Sequence, residues 1–432
     1  MVKLIRANRE NIEEIIAEIR RKIQIGEDIY NTVNQIINDV KINGDEALIR
    51  LSKSLDGIEI VPEEIIINRE ALREALGKVD AKLISALKKL RKNIERVERC
   101  RLRALSQGVK FRDGYAVRLS WKPIEAVGCY APGGRATYLS TILMTGVPGK
   151  VAGVPRMVLA TPPRKNRDDE YRVMAAAYIA GFDELLWIGG AQAIAALAYG
   201  TQRIRPVRKI LGPGNRYVVA AKQIVQRDID IDFPAGPTEL VVIVDETSDF
   251  KTVAYDMAAQ AEHGQDSMTL AITLSEIAGE KLFRMLEELS NILDSETARK
   301  SLQSNSYVII ADDLETLCKL VDKIAPEHLV ISAKNSRKIL RQISNAGVVT
   351  VGKNLPSVFI DYYSGASHVL PTGGYAATFS GLTVLDYVRT ISIVSGSKKS
   401  VVNARRIMEP LIISEGLNLH LQVLRVAAGD LN

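Results

Sequence analysis

Cysteine is scarce in this chain of 432 residues: only Cys100, Cys129 and Cys318 occur, far apart and odd in number. With no C-x-x-C pair among them, a disulfide framework and a thiolate zinc site are excluded, and a reducing compartment fits. Aromatic residues make up 5% of the chain, too few for the stacking platforms that bind single-stranded nucleic acid. Long hydrophobic runs are missing as well. No stretch approaches the roughly 18 apolar residues that a membrane span requires, and the opening Met1-Val-Lys-Leu-Ile-Arg-Ala-Asn-Arg-Glu10 lacks the apolar centre of a secretion signal. The expectation is a cytoplasmic protein with no membrane partner.

With 47% hydrophobic and 25% charged residues, the composition is that of a soluble globular protein. The length implies two or more packed units, because a single core stops growing at about 250–300 residues. The net charge is +6, but its basic residues alternate with acids along predicted helices. That pattern describes a solvated surface that also suits an anionic cofactor, and it argues against nucleic acid.

Three-to-four-residue apolar spacing predicts helices through the first hundred residues, including Ile12 onward and a long one from Ala81 to Arg101. Alternation about Asp113-Gly114, from Val109 to Leu119, predicts a hairpin. Short apolar runs separated by helix-length segments follow in two series. The first has strands at Glu125–Tyr130, Met157–Ala160, Glu184–Ile188 and Lys209–Leu211. The second has Glu239–Val244, Met268–Leu274, Tyr307–Ala311, Leu329–Ser332 and Val358–Asp361. This β–α–β alternation implies α/β units with mostly parallel sheets. Beyond about Leu382 the chain reads as helical, and a terminus carrying His420 must dock on something, which points to a neighbouring subunit.

Histidine is as rare as the chain's chemistry is concentrated. Its four copies stand in Gln260-Ala-Glu-His263-Gly, Pro-Glu327-His328-Leu, Ser-Gly-Ala-Ser-His368-Val-Leu-Pro and Glu415-Gly-Leu-Asn-Leu-His420. Imidazole is the commonest zinc ligand and titrates near neutrality, so metal and proton chemistry belong in such clusters. Gln260 and His263 project from one face of a last helical turn, where they either converge on a cation or cap carbonyls. Glu327 and His328, leading into a strand, read in isolation as a surface loop. As parts of one site they would do different jobs at its edge. Asp361 closes a predicted strand, and carboxyl ends of strands are where α/β proteins place their sites, so it binds a metal or substrate or else caps a turn.

Three glycine-bearing turns follow predicted strands: Tyr130-Ala-Pro-Gly133-Gly134, Gly189-Gly190-Ala-Gln192 and Gly212-Pro-Gly214-Asn215. They place N–H groups at helix starts, where phosphate binds. None is G-x-G-x-x-G, so the usual dinucleotide fingerprint is missing. Cys129 reads as a small buried hydrophobe, since nothing nearby would depress its pKa.

These segments occur in an order that resembles the histidinol dehydrogenase family from about residue 120 onward. They are Tyr-Ala-Pro-Gly-Gly, Gly-Gly-Ala-Gln-Ala-Ile-Ala-Ala-Leu-Ala-Tyr-Gly-Thr, Gly-Pro-Gly-Asn, Ala-Gly-Pro-Thr-Glu, Gln-Ala-Glu-His-Gly, Ala-Pro-Glu-His-Leu, Asp-Tyr-x-Ser-Gly-x-x-His-Val-Leu-Pro-Thr and the terminal Glu…His. The resemblance implies that Gln260, His263, Asp361 and His420 bind zinc. It implies that His328 is the base that takes the hydroxyl proton of L-histidinol while hydride leaves for NAD, and that Glu327 activates water before a second NAD is reduced. It places Tyr130, Gln192 and Asn215 against NAD, and Thr238, Gln260, His263, His328, Asp361, Glu415 and His420 against the substrate. No role falls to His368.

The fold implied is two incomplete Rossmann-like domains, 26–131 with 240–381 and an inserted 132–239. Helical pieces at 1–25 and 382–432 would be exchanged in a homodimer whose active sites need both chains. The family usually has serine where this chain has Thr238; the hydroxyl stays and a methyl is added. Rivals are a paralogous zinc- and NAD-dependent dehydrogenase of another small alcohol and a zinc hydrolase using Glu327. The Glu415–His420 tail argues against the first.

Overall fold

The computed structural model describes residues 2–20, 26–105, 107–133, 137–233 and 236–430. Gly134, Ala235 and residues 21–25 of the expected N-terminal piece lie outside the described residues. Two six-stranded sheets organise the α/β body. In the first, all five pairings are parallel and the order is Lys3–Ala7, Ser306–Ala311, Met268–Thr273, Glu239–Val244, His328–Ser332, Val348–Val351. In the second the order is Ile66–Asn68, Glu184–Trp187, Arg156–Thr161, Ala126–Tyr130, Lys209–Leu211, Asp230–Ile231, parallel except for the first edge strand. Both carry the order of half a doubly wound fold, reversing beside Glu239–Val244 in one and Ala126–Tyr130 in the other.

Each sheet is dry on both faces, which is why its strands are continuous apolar runs. Along Glu239–Val244, Leu240 and Val242 enter one core while Val241 and Ile243 enter another, on opposite faces of the sheet. The second sheet divides likewise, with Val127 and Cys129 on one side and Ala126 and Tyr130 on the other. Burial of each such aliphatic side chain stabilises the fold by about 1.5–3 kcal/mol. The long helix Ala81–Ala104 starts where Asp80 accepts the N–H groups of Lys82 and Leu83, and it buries Leu87, Leu90 and Ile94.

Four departures from the sequence reading matter. The N-terminal piece opens with a strand, Lys3–Ala7, on the edge of the first sheet, and only then forms the helix Ile12–Arg20. The strands Ile66–Asn68 and Ala126–Tyr130 belong to the second sheet, so the sheets divide the chain otherwise than 26–131 plus 240–381. The final segment begins with the strand Val388–Gly396, antiparallel to Tyr115–Pro123, ahead of its two helices. The predicted strand Val358–Asp361 is instead helical, leading into a wide π-helical turn, Ile360–Ser364. Pro356 and Ser357 start that turn, and Ser357 donates from both its N–H and its hydroxyl to the buried Asp256 carboxylate, at 2.8 and 2.7 Å. This bond fastens the segment to the helix Phe250–Ala261, away from the sheet plane. The Val109–Leu119 hairpin forms as expected.

Candidate active site

The helix Phe250–Ala261 runs back across the first sheet, so its last turn comes to the amino ends of the strands. Gln260 is buried there, and His263 follows past the helix end, exposed as a residue while burial of its ring lowers its pKa. Glu327 immediately precedes and His328 starts the strand His328–Ser332, the neighbour of Glu239–Val244, at the same edge, where His328 stands in register with Leu240 and Val348. Both are buried, so the surface-loop reading is replaced by one in which two titratable groups are held dry. Glu327 Oε1 lies 3.9 Å from His328 Nε2. Its other oxygen accepts the Thr238 hydroxyl and, at 2.9 Å, the Glu239 N–H.

Asp361 reaches this group from its helical turn. Gly365 ends that turn at φ 82°, where an added Cβ would lie 2.5 Å from the Asn93 backbone, so only glycine lets the turn close on the long helix. Asp361 Oδ1 is 3.4 Å from His368 Nδ1, and His368 Nε2 is 3.2 Å from the Thr141 hydroxyl. Thr141 is in the first turn of Leu139–Ala152, the helix after the Tyr130 turn. The His368–Thr141 contact therefore joins the amino edge of the first sheet to the carboxyl edge of the second. Sequence reasoning gave His368 no role and missed Thr141. The Ser-His-Val-Leu motif was a signal for the first, and nothing marked the second.

Burial and mutual charge set the protonation of the cluster. Burial pushes Glu327 up to about 8; its bonds from Thr238 and Glu239 resist, and the Glu239 and Asp361 charges add to the rise. Burial pushes His328 down to about 4 against the pull of Asp361, with the His368 and His263 rings lowering it further. Asp361 would be raised by burial, but its bond to His368 and the rings of His328 and His263 hold it below the usual carboxylate range. At neutral pH the site thus pairs a neutral imidazole with a protonated neighbouring carboxyl, an acid and a base separated by environment.

The expectation that Asp361 marks the carboxyl end of a strand is overturned, since this cluster is at the amino edge. Helices run antiparallel to the strands they follow, so this edge collects helix C-termini, whose partial negative charge favours cations. The second sheet presents the opposite pole. Gln192 lies in the first turn of Gly190–Tyr199, with neither side-chain atom of its amide paired among the described residues, and Asn215 caps Arg216–Val225 by accepting from Tyr217 and Val218 at 3.0 and 3.1 Å. Tyr130 is buried, and its hydroxyl accepts the Gly190 N–H at 3.1 Å. That edge, with its helix N-termini, favours an anion such as a pyrophosphate.

Among the described residues of one chain, no three His, Cys, Asp or Glu side chains are grouped to hold a metal ion. Gln260, His263 and Asp361 supply an amide, an imidazole and an ionised carboxylate, a donor set that suits zinc but is one ligand short of four. His420 and Glu415 are exposed and, among the described residues, make no side-chain hydrogen bond or ion pair. Glu415 ends the helix Lys398–Ser414 and His420 lies in Asn418–Ala428, and these two helices pack on each other. The structure brings His263, His328, His368 and Asp361 together and leaves the tail apart.

Glu239 offers a test of the buried electrostatics. Its Oε1 accepts from the Gly373 N–H at 2.9 Å, its Oε2 is buried with no partner, and burial raises its pKa to about 7. A carboxyl whose folded pKa is raised contributes stability that is complete below the unfolded value of 4.5 and is lost as pH rises through about 7. Glu239→Gln, a neutral isostere, is therefore expected to melt higher than the unaltered protein at pH 9, by the equivalent of about 3 kcal/mol. The two should melt alike at pH 4.5. A difference of equal size at both pH values would contradict this account.

The family model for histidinol dehydrogenase matches residues 19–427. Relatives bearing that name include one from Methanosarcina mazei, 37% identical over 96% of both chains, and one from Agrobacterium fabrum, 39% identical over 96% of both chains. A crystal structure of histidinol dehydrogenase from Elizabethkingia anophelis superposes with a TM-score of 0.92 at 31% identity, over 99% of this chain and 98% of that one. No described helix is long and apolar enough to cross a membrane.

Proposed function

This chain belongs to the histidinol dehydrogenase family, and on that premise we propose that it oxidises L-histidinol through L-histidinaldehyde to L-histidine, with zinc and NAD, as the last step of histidine biosynthesis. The observation that carries the reading is the convergence of Glu327, His328, Asp361 and His368 from remote segments at one edge, with Glu327 Oε1 3.9 Å from His328 Nε2 and Asp361 Oδ1 3.4 Å from His368 Nδ1.

Gln260, His263 and Asp361 would hold the zinc, with His420 of the partner subunit as the fourth ligand in a homodimer. Zinc, when bound, supplies a template for the amine and imidazole of the substrate, and NAD, when bound along Tyr130, Gln192 and Asn215, takes up hydride. His328, neutral and shielded from water, accepts the proton of the carbinol hydroxyl. Thr238 and the Glu239 N–H fix the Glu327 carboxyl, which, once ionised, would take a proton from water as the aldehyde is hydrated ahead of the second oxidation. The Thr238 hydroxyl is used for that bond, which serine would also make, so the added methyl leaves the role intact. Thr238 and Glu415 would also contact substrate.

The test is an assay of the purified protein with L-histidinol and NAD, followed at the absorbance of NADH. Two NADH per histidine are expected, with activity lost to a chelator and restored by zinc. Turnover of another alcohol in preference to histidinol, or zinc-dependent hydrolysis without NAD, would overturn the reading.

A further inference from the structure

Behind the Gly212-Pro-Gly214-Asn215 turn lies an ion pair with almost no solvent contact. The Lys222 and Asp232 side chains are 3% and 0% exposed. Lys222 Nζ donates to the Asp232 carboxylate, to the Gly212 carbonyl at 2.9 Å and to the Phe233 carbonyl at 3.3 Å. The second Asp232 oxygen accepts the Gly212 N–H at 2.7 Å. Both polar groups of one glycine are thus held by the two members of the pair.

That glycine is under constraint. Its φ of 108° belongs to glycine alone, and a Cβ there would meet the Tyr130 carbonyl oxygen at 2.2 Å. Tyr130 in turn accepts the Gly190 N–H at its hydroxyl, so the Gly212 turn held by the pair is linked through Tyr130 to the Gly189–Gly190 turn. Lys222 is on the helix that Asn215 caps, so it fixes the turn and the helix start together. Asp232 begins the stretch that runs on to Thr238, whose hydroxyl holds Glu327. A buried pair of this kind is weak evidence for stability, because apolar replacements often serve the fold as well. It needs a different reason.

We infer that Lys222 and Asp232 are a positioning pair for the dinucleotide, locking the Gly212–Asn215 turn in the shape that receives it. The inference rests on the NAD-dependent reading above. Neither residue touches the reacting atoms; they act through the Gly212 peptide and the Asn215 cap.

The test compares the unaltered protein with Lys222→Met/Asp232→Asn, which removes both charges and keeps an acceptor for the Gly212 N–H. NAD binding by calorimetry and steady-state kinetics are measured on both. The Kd and KM for NAD are expected to rise about tenfold or more, the loss of charge-assisted hydrogen bonds that shape the turn. The KM for histidinol and kcat at saturating NAD should stay within about threefold. A purely structural role would lower the amount of active protein and leave the KM for NAD alone. Should the double variant fail to fold, Asp232→Asn alone is measured by the same criteria. Equal NAD affinity in altered and unaltered protein would overturn the inference while leaving the dehydrogenase reading standing. No NAD binding by the unaltered protein would overturn both.

Discussion

Replacing His328 by asparagine is expected to lower kcat with histidinol by about 10²- to 10⁴-fold, the range for loss of a positioned general base, with little change in the KM for histidinol. The ring is 3% exposed at the head of a strand buried on both faces. Burial pushes it down to about 4, so at neutral pH it is unprotonated and able to accept a proton. Asparagine fits the space and keeps hydrogen-bonding capacity but has no basic nitrogen. Because backbone pairing of His328 with Leu240 and Val348 does not involve the ring, the strand should hold and the melting temperature should move by a few degrees at most. Glu327→Gln gives a contrasting result. It keeps an acceptor for Thr238 and the Glu239 N–H but cannot move a proton, so oxidation of supplied histidinaldehyde should fall more than that of histidinol. Kinetics with each substrate check both. An H328N protein that keeps more than a tenth of kcat would remove His328 from the role of base.

The strands of both sheets were legible because strands covered on two faces become unbroken apolar runs, as in Leu240-Val-Val-Ile-Val244. Strands at or near an edge escaped. Lys3–Ala7 contains two basic residues, Ile66–Asn68 spans three residues, and Val388–Gly396 is mostly exposed, so none carries the pattern of a core strand. Val358–Asp361 failed for the opposite reason: the apolar run is present, but the Asp256–Ser357 bonds take it out of the sheet. That long-range pairing has no local signature.

The site shows the same division. Every histidine cluster was visible, yet its edge of the sheet was not, because a rule about carboxyl ends was applied to Asp361 alone. The geometry assigns the two edges by charge. Helix C-termini gather at Gln260–His263, where a cation is favoured, and helix N-termini gather at Gln192 and Asn215, where an anion is favoured. His368 and Thr141 bring the edges together. Contacts that cross between sheets, such as this one, depend on the assembled fold and leave no spacing to read.

Mixing two inactive variants should restore activity if the tail completes a neighbour's site. His263→Asn and His420→Asn each remove one proposed zinc ligand, and each alone should lose more than the about 10- to 100-fold that outer-shell partners of a metal typically cost. The tail gives the reason to expect exchange. Lys398–Ser414 buries no side chain, and Asn418–Ala428 buries Leu421 and Ala428. Ile407, Leu411, Leu419, Val423 and Val426 are 53–73% exposed. An apolar face of that extent on a pair of helices packed mainly on each other calls for a covering partner, and a second copy would carry His420 with it. In random assortment half of the dimers are mixed, and in each the chain with intact His263 receives intact His420 from its neighbour, while the other site lacks both. Co-expression followed by purification through different tags on the two chains should therefore recover about a quarter of the wild-type activity across all dimers, or half in the mixed dimers alone. Zinc content should follow the same fractions. Mixed dimers as inactive as their parents would place His420 in its own chain's site or in none, and the shared-site proposal would fall with it.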